Sequence, residues 1–146
     1  MLEQYKTRQE IMKRPPEGGQ KRGDTMKRDL DLLRQMLLRI ESLDSSKHKI
    51  TVDSFSDLNS DWNAIVLHIE LLMDAGFIEA IDVSTCSADD YVIRRITFAG
   101  YDYLDSIRND SIWAEVKQKI ASVGGSVSLE IVKELGVTLV RQHLGI

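Results

Sequence analysis

The sequence predicts an α+β, mostly helical fold over residues 26–146. Three observations lead to it. Apolar residues recur at helical spacing in five separate stretches. Two β-prone runs, 77–83 and 91–96, flank a polar link (84–90) of hairpin length. Capping or breaking residues stand at most of the boundaries between these stretches. A chain of 146 residues with 42% hydrophobic and 29% charged residues suits one domain around one core.

Residues 1–25 are expected to lie outside that domain, as a flexible basic N-terminal extension. They hold six Lys/Arg and four Asp/Glu. Pro15-Pro16 and Gly18-Gly19 break any helix there. The first helix is expected over 26–43, with Thr25 as its cap. Met26, Leu30, Leu33, Leu37 and Ile40 form its apolar stripe, and Asp29 and Asp31 suit the positive end of its dipole. Asp44-Ser45-Ser46 ends it. Ile50-Thr51-Val52 reads as a short strand, and 53–60 as a polar segment with a single helical turn.

A second helix is expected over 62–75, capped by Ser60 or Asp61. Ile65, Ile69, Leu72 and Met73 are its apolar positions, and Gly76 suits the left-handed stop. The hairpin follows. Thr97 is expected to cap a helix over 98–108, and Ser111 one over 112–123 that stops at Gly124-Gly125. Ser128 is expected to open a last helix to residue 143. The junction Leu72-Met73-Asp74-Ala75-Gly76-Phe77-Ile78 runs a helix into a strand. The junction Arg95-Ile96-Thr97-Phe98 runs a strand into a helix. Both resemble junctions of winged-helix proteins, and the spacing leaves room for one hairpin. The expectation is a winged-helix-like domain with a two-stranded wing and two extra C-terminal helices.

Met26-Lys27-Arg28-Asp29-Leu30-Asp31-Leu32-Leu33-Arg34, the stretch from His68 to Ile78, and the stretch from Thr97 to Trp113 resemble a known family over about residues 26–144. It comprises small bacterial and phage or prophage proteins classed as a domain of unknown function, number 2513. The resemblance implies a phage or mobile-element origin. It implies no activity, because the family has none established to carry over. Many relatives carry His where this chain has Tyr101, so His-dependent chemistry is not expected there.

No catalytic, metal or cofactor site is expected, and the chain is read as not an enzyme. His48, His68 and His143 lack metal-ligand spacing. His68 falls beside the apolar face of its helix and reads as a partly buried, hydrogen-bonded histidine. Asp53, Asp57 and Asp61 recur every four residues, and Asp102 and Asp105 every three. Both sets read as solvated faces, not acid–base pairs or calcium ligands. Cys86 stands near Asp89 and Asp90, which raise a thiol pKa and work against a reactive thiolate. As the sole cysteine it fits a reducing, cytoplasmic compartment. No apolar run approaches the ~18 residues of a membrane span.

Net charge over 26–146 is −6, from thirteen basic and nineteen acidic residues. The helix over 62–75 holds no Lys or Arg, and Asp89 and Asp90 mark the wing tip. Phosphate binding needs cations, so DNA is the disfavoured partner. The candidate contacts to DNA or a partner are Lys27, Arg28, Lys47, Lys49, Trp62, Asn63, His68, Arg94 and Arg95. Strand alternation is expected to set Arg94 and Arg95 on opposite sheet faces. Val132, Leu135, Leu139 and Val140 are a candidate homodimer seam, or else pack on the first helix. The expected role is a regulatory binding module acting through protein contacts, with a DNA-binding transcriptional regulator as the alternative.

Overall fold

The computed structural model describes residues 26–146. The reading of 1–25 as a flexible extension, and of Thr25 as a cap, lies outside these residues. The described chain is α+β and mostly helical, with five helices and one small antiparallel sheet. The described residues divide into two compact units, one ending at Thr97 and one spanning Phe98–Ile146.

The first unit opens with α1 (Leu30–Ser42), which begins four residues later than its apolar stripe suggested. Asp29 is the N-cap, and its carboxylate accepts from the Leu32 N–H at 3.2 Å. The cap therefore follows Met26, whose side chain is exposed. Leu32, Leu33, Met36, Leu37 and Ile40 are buried. Arg39, near the far end of α1, donates to both Asp57 oxygens at 2.8 and 2.6 Å and to the Ser54 carbonyl at 2.7 Å. The polar segment after β1 (Ile50–Thr51) is thereby tied to α1. That segment holds one 3-10 turn, Val52–Phe55, which buries Val52 and Phe55.

Helix α2 (Trp62–Asp74) is capped by Asp61, which accepts from the Asn63 N–H. It ends on Gly76 at φ +75°. Gly76 N–H donates to Met73 O and Phe77 N–H to Leu72 O, the paired bonds of a Schellman stop. Strands β2 (Ile78–Asp82) and β3 (Tyr91–Ile96) form the hairpin, and the sheet order is β1-β3-β2. Thr97 N–H donates to Phe77 O at 2.9 Å, and the Thr97 hydroxyl donates to the Gly76 carbonyl. The end of β3 is thus bound to the corner that ends α2.

One buried side chain joins α1 to α2. His68 is 2% exposed. Its Nδ1 lies 2.7 Å from the Ala64 carbonyl, one turn back, and its Nε2 accepts from the Asp29 N–H at 2.8 Å. Since Nε2 accepts, the ring is neutral with its proton on Nδ1. Burial pushes the His68 pKa below its usual value, against smaller opposing effects of the Ala64 bond and the Asp29 charge.

The second unit contains α3 (Phe98–Ile107), α4 (Asp110–Ser122) and α5 (Leu129–Leu144). Asn109, not Ser111, caps α4. Its side chain accepts from the N–H groups of Ser111 and Ile112 at 2.9 and 3.1 Å. An Asn side chain accepts from the helix while standing just outside it, so the helix gains its first turn at Asp110. Gly124 and Gly125 end α4 with positive φ, and Ser128 caps α5. Helix α5 packs against α3 and α4. Gly136 marks the closest approach to α3, where an added Cβ would lie 2.2 Å from the Ser106 carbonyl oxygen.

Two outcomes follow. Gly136→Ala is expected to lower stability by roughly 1–3 kcal/mol, because α5 must retreat from Ser106; urea denaturation checks it. His68 favours its neutral form on folding. Its contribution is complete above the unfolded value near 6.5 and is lost as pH falls from there through the folded value. Wild-type stability is expected to fall more steeply than that of His68→Ala over this window, as read by urea midpoints across a pH series.

Candidate interaction surface

In the first unit, charge is presented from the surface of α2 and the β2–β3 hairpin, from the start of α1, and from the sheet end beside Lys49. Between Ile50 and Ile93 the chain has no Lys or Arg and nine Asp/Glu. This interval is β1, the 3-10 turn, α2, β2 and the wing tip, so its carboxylates are held by one folded body.

Three of these carboxylates, Asp61, Asp82 and Asp90, also hold backbone in place, and Asp57, Glu70 and Glu79 bond other side chains. Asp61 caps α2. Asp82 accepts from the Ser84 N–H at 2.8 Å, and bonds from Ser84 hold its carboxyl below the usual range. Asp90 accepts from the N–H of Tyr91 at 2.9 Å. Asp57 is likewise held low by the Arg39 guanidinium. Glu70 accepts from the Tyr91 hydroxyl at 2.8 Å, and burial together with Glu70 pushes the Tyr91 pKa up to about 12. The recurrence of Asp53, Asp57 and Asp61 does not make one helical face. Asp53 lies in the 3-10 turn, Asp57 meets Arg39 and Asp61 caps α2.

Trp62 closes this surface at the tip of the hairpin. Its indole N–H donates to the Asp89 carbonyl at 2.9 Å, which joins the first turn of α2 to the hairpin loop. Asn63 beside it is exposed. His68 is not: it is buried between α1 and α2, so its expected place among the outward contacts is corrected by burial. The loop itself is closed by Ser84, which donates from Oγ to Asp90 O and accepts from Asp90 N–H. Cys86 in the same loop is exposed.

The cations are divided. Lys27 and Arg28 are exposed ahead of α1, and Lys47 and Lys49 are exposed beyond its other end. Thirteen helical residues separate the two pairs, a helix length of about 20 Å. Arg94 and Arg95 do not alternate as expected. Glu79 pairs with Arg95 and Ala80 with Ile93, so Arg94 is an extra residue in β3. This bulge shifts the inward series from Tyr91 and Ile93 to Ile96, and both arginines are exposed. Arg95 is then neutralised by two bonds to Glu79, at 3.0 and 2.7 Å. Ile50 pairs with Ile93, so Lys49 and Arg94 each adjoin that pair in sequence.

In the second unit, Val132 and Leu139 of the suggested dimer seam are buried, and Leu135 and Val140 are half-buried. Helix α5 spends that side on α3 and α4. Phe98 and Tyr101 were not singled out by the pattern, yet they are exposed aromatics on α3. Their signal was present: Phe98, Tyr101, Asp102 and Asp105 fall at offsets 0, 3, 4 and 7 of one helical face.

Among the described residues no three His, Cys, Asp or Glu side chains gather as a metal site. Among them, too, no helix is long and apolar enough to cross a membrane.

Comparison with known proteins yields a family and no fold precedent. The family model described as "Hypothetical protein (DUF2513)" matches residues 27–126. An uncharacterized protein of Haemophilus influenzae is 36% identical over 119 residues, which cover 82% of this chain and 99% of that protein. No solved structure matches. With the family model covering more than half of the chain and this relative aligned over nearly its whole length, the chain belongs to the DUF2513 family.

Proposed function

We propose that this protein is a noncatalytic binding module of winged-helix type that acts through protein contacts, in a regulatory role suited to a phage or mobile element. The winged-helix reading draws support from the order helix, strand, turn, helix, strand, strand and from the β1-β3-β2 sheet. A 3-10 turn stands where a helix-turn-helix protein would carry its first motif helix.

The observation that carries the choice of partner is the charge of the interval 50–93. A winged-helix protein that binds DNA offers its second motif helix to the major groove and its wing to the backbone. Here both elements are acidic and neither contains a cation before Arg94. Phosphates approaching this surface meet Asp74, Asp82 and Asp89, and no counterion release rewards the contact. Protein partners carry no such requirement. Trp62 supports the same reading, because its indole is committed to the wing and does not project toward a groove.

Lys49 and Arg94 favour the second reading, a DNA-binding regulator, since the bulge exposes Arg94 and Lys49 directly precedes Ile50, whose partner is Ile93. Two cations supply too few phosphate contacts for tight binding.

A mobility-shift titration with random-sequence duplex at about 50 mM salt separates the readings. The expected outcome is no complex below about 100 µM protein. Tighter, salt-steep binding that is lost in Lys49→Ala/Arg94→Ala would overturn the preference for protein contacts.

A further inference from the structure

The outer face of α3 carries the largest exposed aromatic surface of the second unit. Phe98 is 82% exposed and Tyr101 42% exposed. Isolated apolar residues on a surface are ordinary. Two aromatics one helical turn apart are a different matter, because Phe and Tyr hold large contact area at low entropy cost and are enriched where proteins bind. The helix does not need them for its own packing. Its buried side is Gly100, Tyr103, Leu104, Ser106 and Ile107.

The same face is acidic. Asp102 lies one turn after Phe98, and Asp105 one turn after Tyr101; both are exposed. Arg108 reaches Asp105 at 2.9 Å, whereas Asp102 has no ion-pair partner among the described residues. Aromatic rings beside carboxylates present two kinds of negative potential to one direction, the ring faces and the carboxylate oxygens.

We propose that the Phe98–Tyr101–Asp102–Asp105 face of α3 is a docking surface for a cationic, amphipathic segment of another protein. An Arg or Lys of that segment lies over the Phe98 and Tyr101 rings with its charge toward Asp102, and neighbouring aliphatic side chains cover Phe98. Charge complementarity selects this occupant. A second copy of the chain brings no unpaired cation to this face, and across a two-fold axis it would set Asp102 near its own equivalent. Anionic lipid headgroups and nucleic-acid phosphates would be repelled in the same way. The inference goes beyond the function proposed above and uses a different unit, so its failure would leave the exclusion of nucleic acid standing.

The test is selection of a phage-displayed library of random short peptides on the full chain. The expected result is enrichment of peptides that combine Arg or Lys with aliphatic residues. Their binding is expected to weaken about tenfold or more in both Phe98→Ser and Asp102→Lys. Both positions are exposed, and unchanged thermal midpoints would show that the variants fold. No enriched peptide, peptides without cations, or binding indifferent to both variants would overturn the proposal. So would concentration-dependent self-association that Phe98→Ser abolishes, which would assign the face to a second copy.

Discussion

The imidazole of His68 joins two backbone groups that no secondary structure would bring together. Its Nδ1 meets Ala64 O within α2, and its Nε2 takes the N–H of Asp29, the residue that caps α1. A helix start leaves N–H donors without intrahelical partners. The donor at the α1 start is satisfied from across the core, while the Asp29 carboxylate serves Leu32. A neutral ring in this position ties the start of α1 to the middle of α2. Replacing it with an apolar residue would remove the acceptor for the Asp29 N–H, a bond worth about 0.5–1.5 kcal/mol.

With α2 held from behind, its two ends are fastened to the hairpin. Trp62 bonds the wing tip near the start, and the Gly76 corner bonds Thr97 near the end. The acidic surface is therefore a framed one. Its carboxylates are not a loose coat of solvated charge, because several of them are the acceptors that shape the loop and helix starts. This dual use bears on function. Losing the charge of Asp61, Asp82 or Asp90 would also loosen a helix start or a loop.

Much of the layout was legible in the residues. Strand β3 runs over the residues its β-prone pattern marked, Gly76 and Gly124-Gly125 stop helices, and Ser128 and Asp61 cap them. These features are local: each depends on φ freedom or on a side-chain oxygen within a few residues of its donor. The start of α1 was misplaced because apolar periodicity continued to Met26, whereas the cap that won was Asp29, reinforced by a residue 39 positions away. The α4 cap was misplaced by two residues because Ser and Asn both suit the role. Of the candidate contacts, Lys49 and Arg94 adjoin the Ile50–Ile93 pair, and His68 withdraws into the core.

By itself the sequence determined the class of fold, the positions of most helix stops and the acidic character of the α2 and wing interval. Those follow from periodicity, backbone freedom and charge count, and none requires knowledge of what packs on what. Only the tertiary structure decided where the cations and aromatics point. The bulge at Arg94 overrides strand alternation, because one extra residue in β3 turns its neighbours by a half period while Ile96 still reaches the core. Val132 and Leu139 went inward because α5 could approach α3 at Gly136, where no Cβ stands in the way of the Ser106 carbonyl. Side-chain direction is settled by which neighbour fills the space, and that is a property of the assembled core.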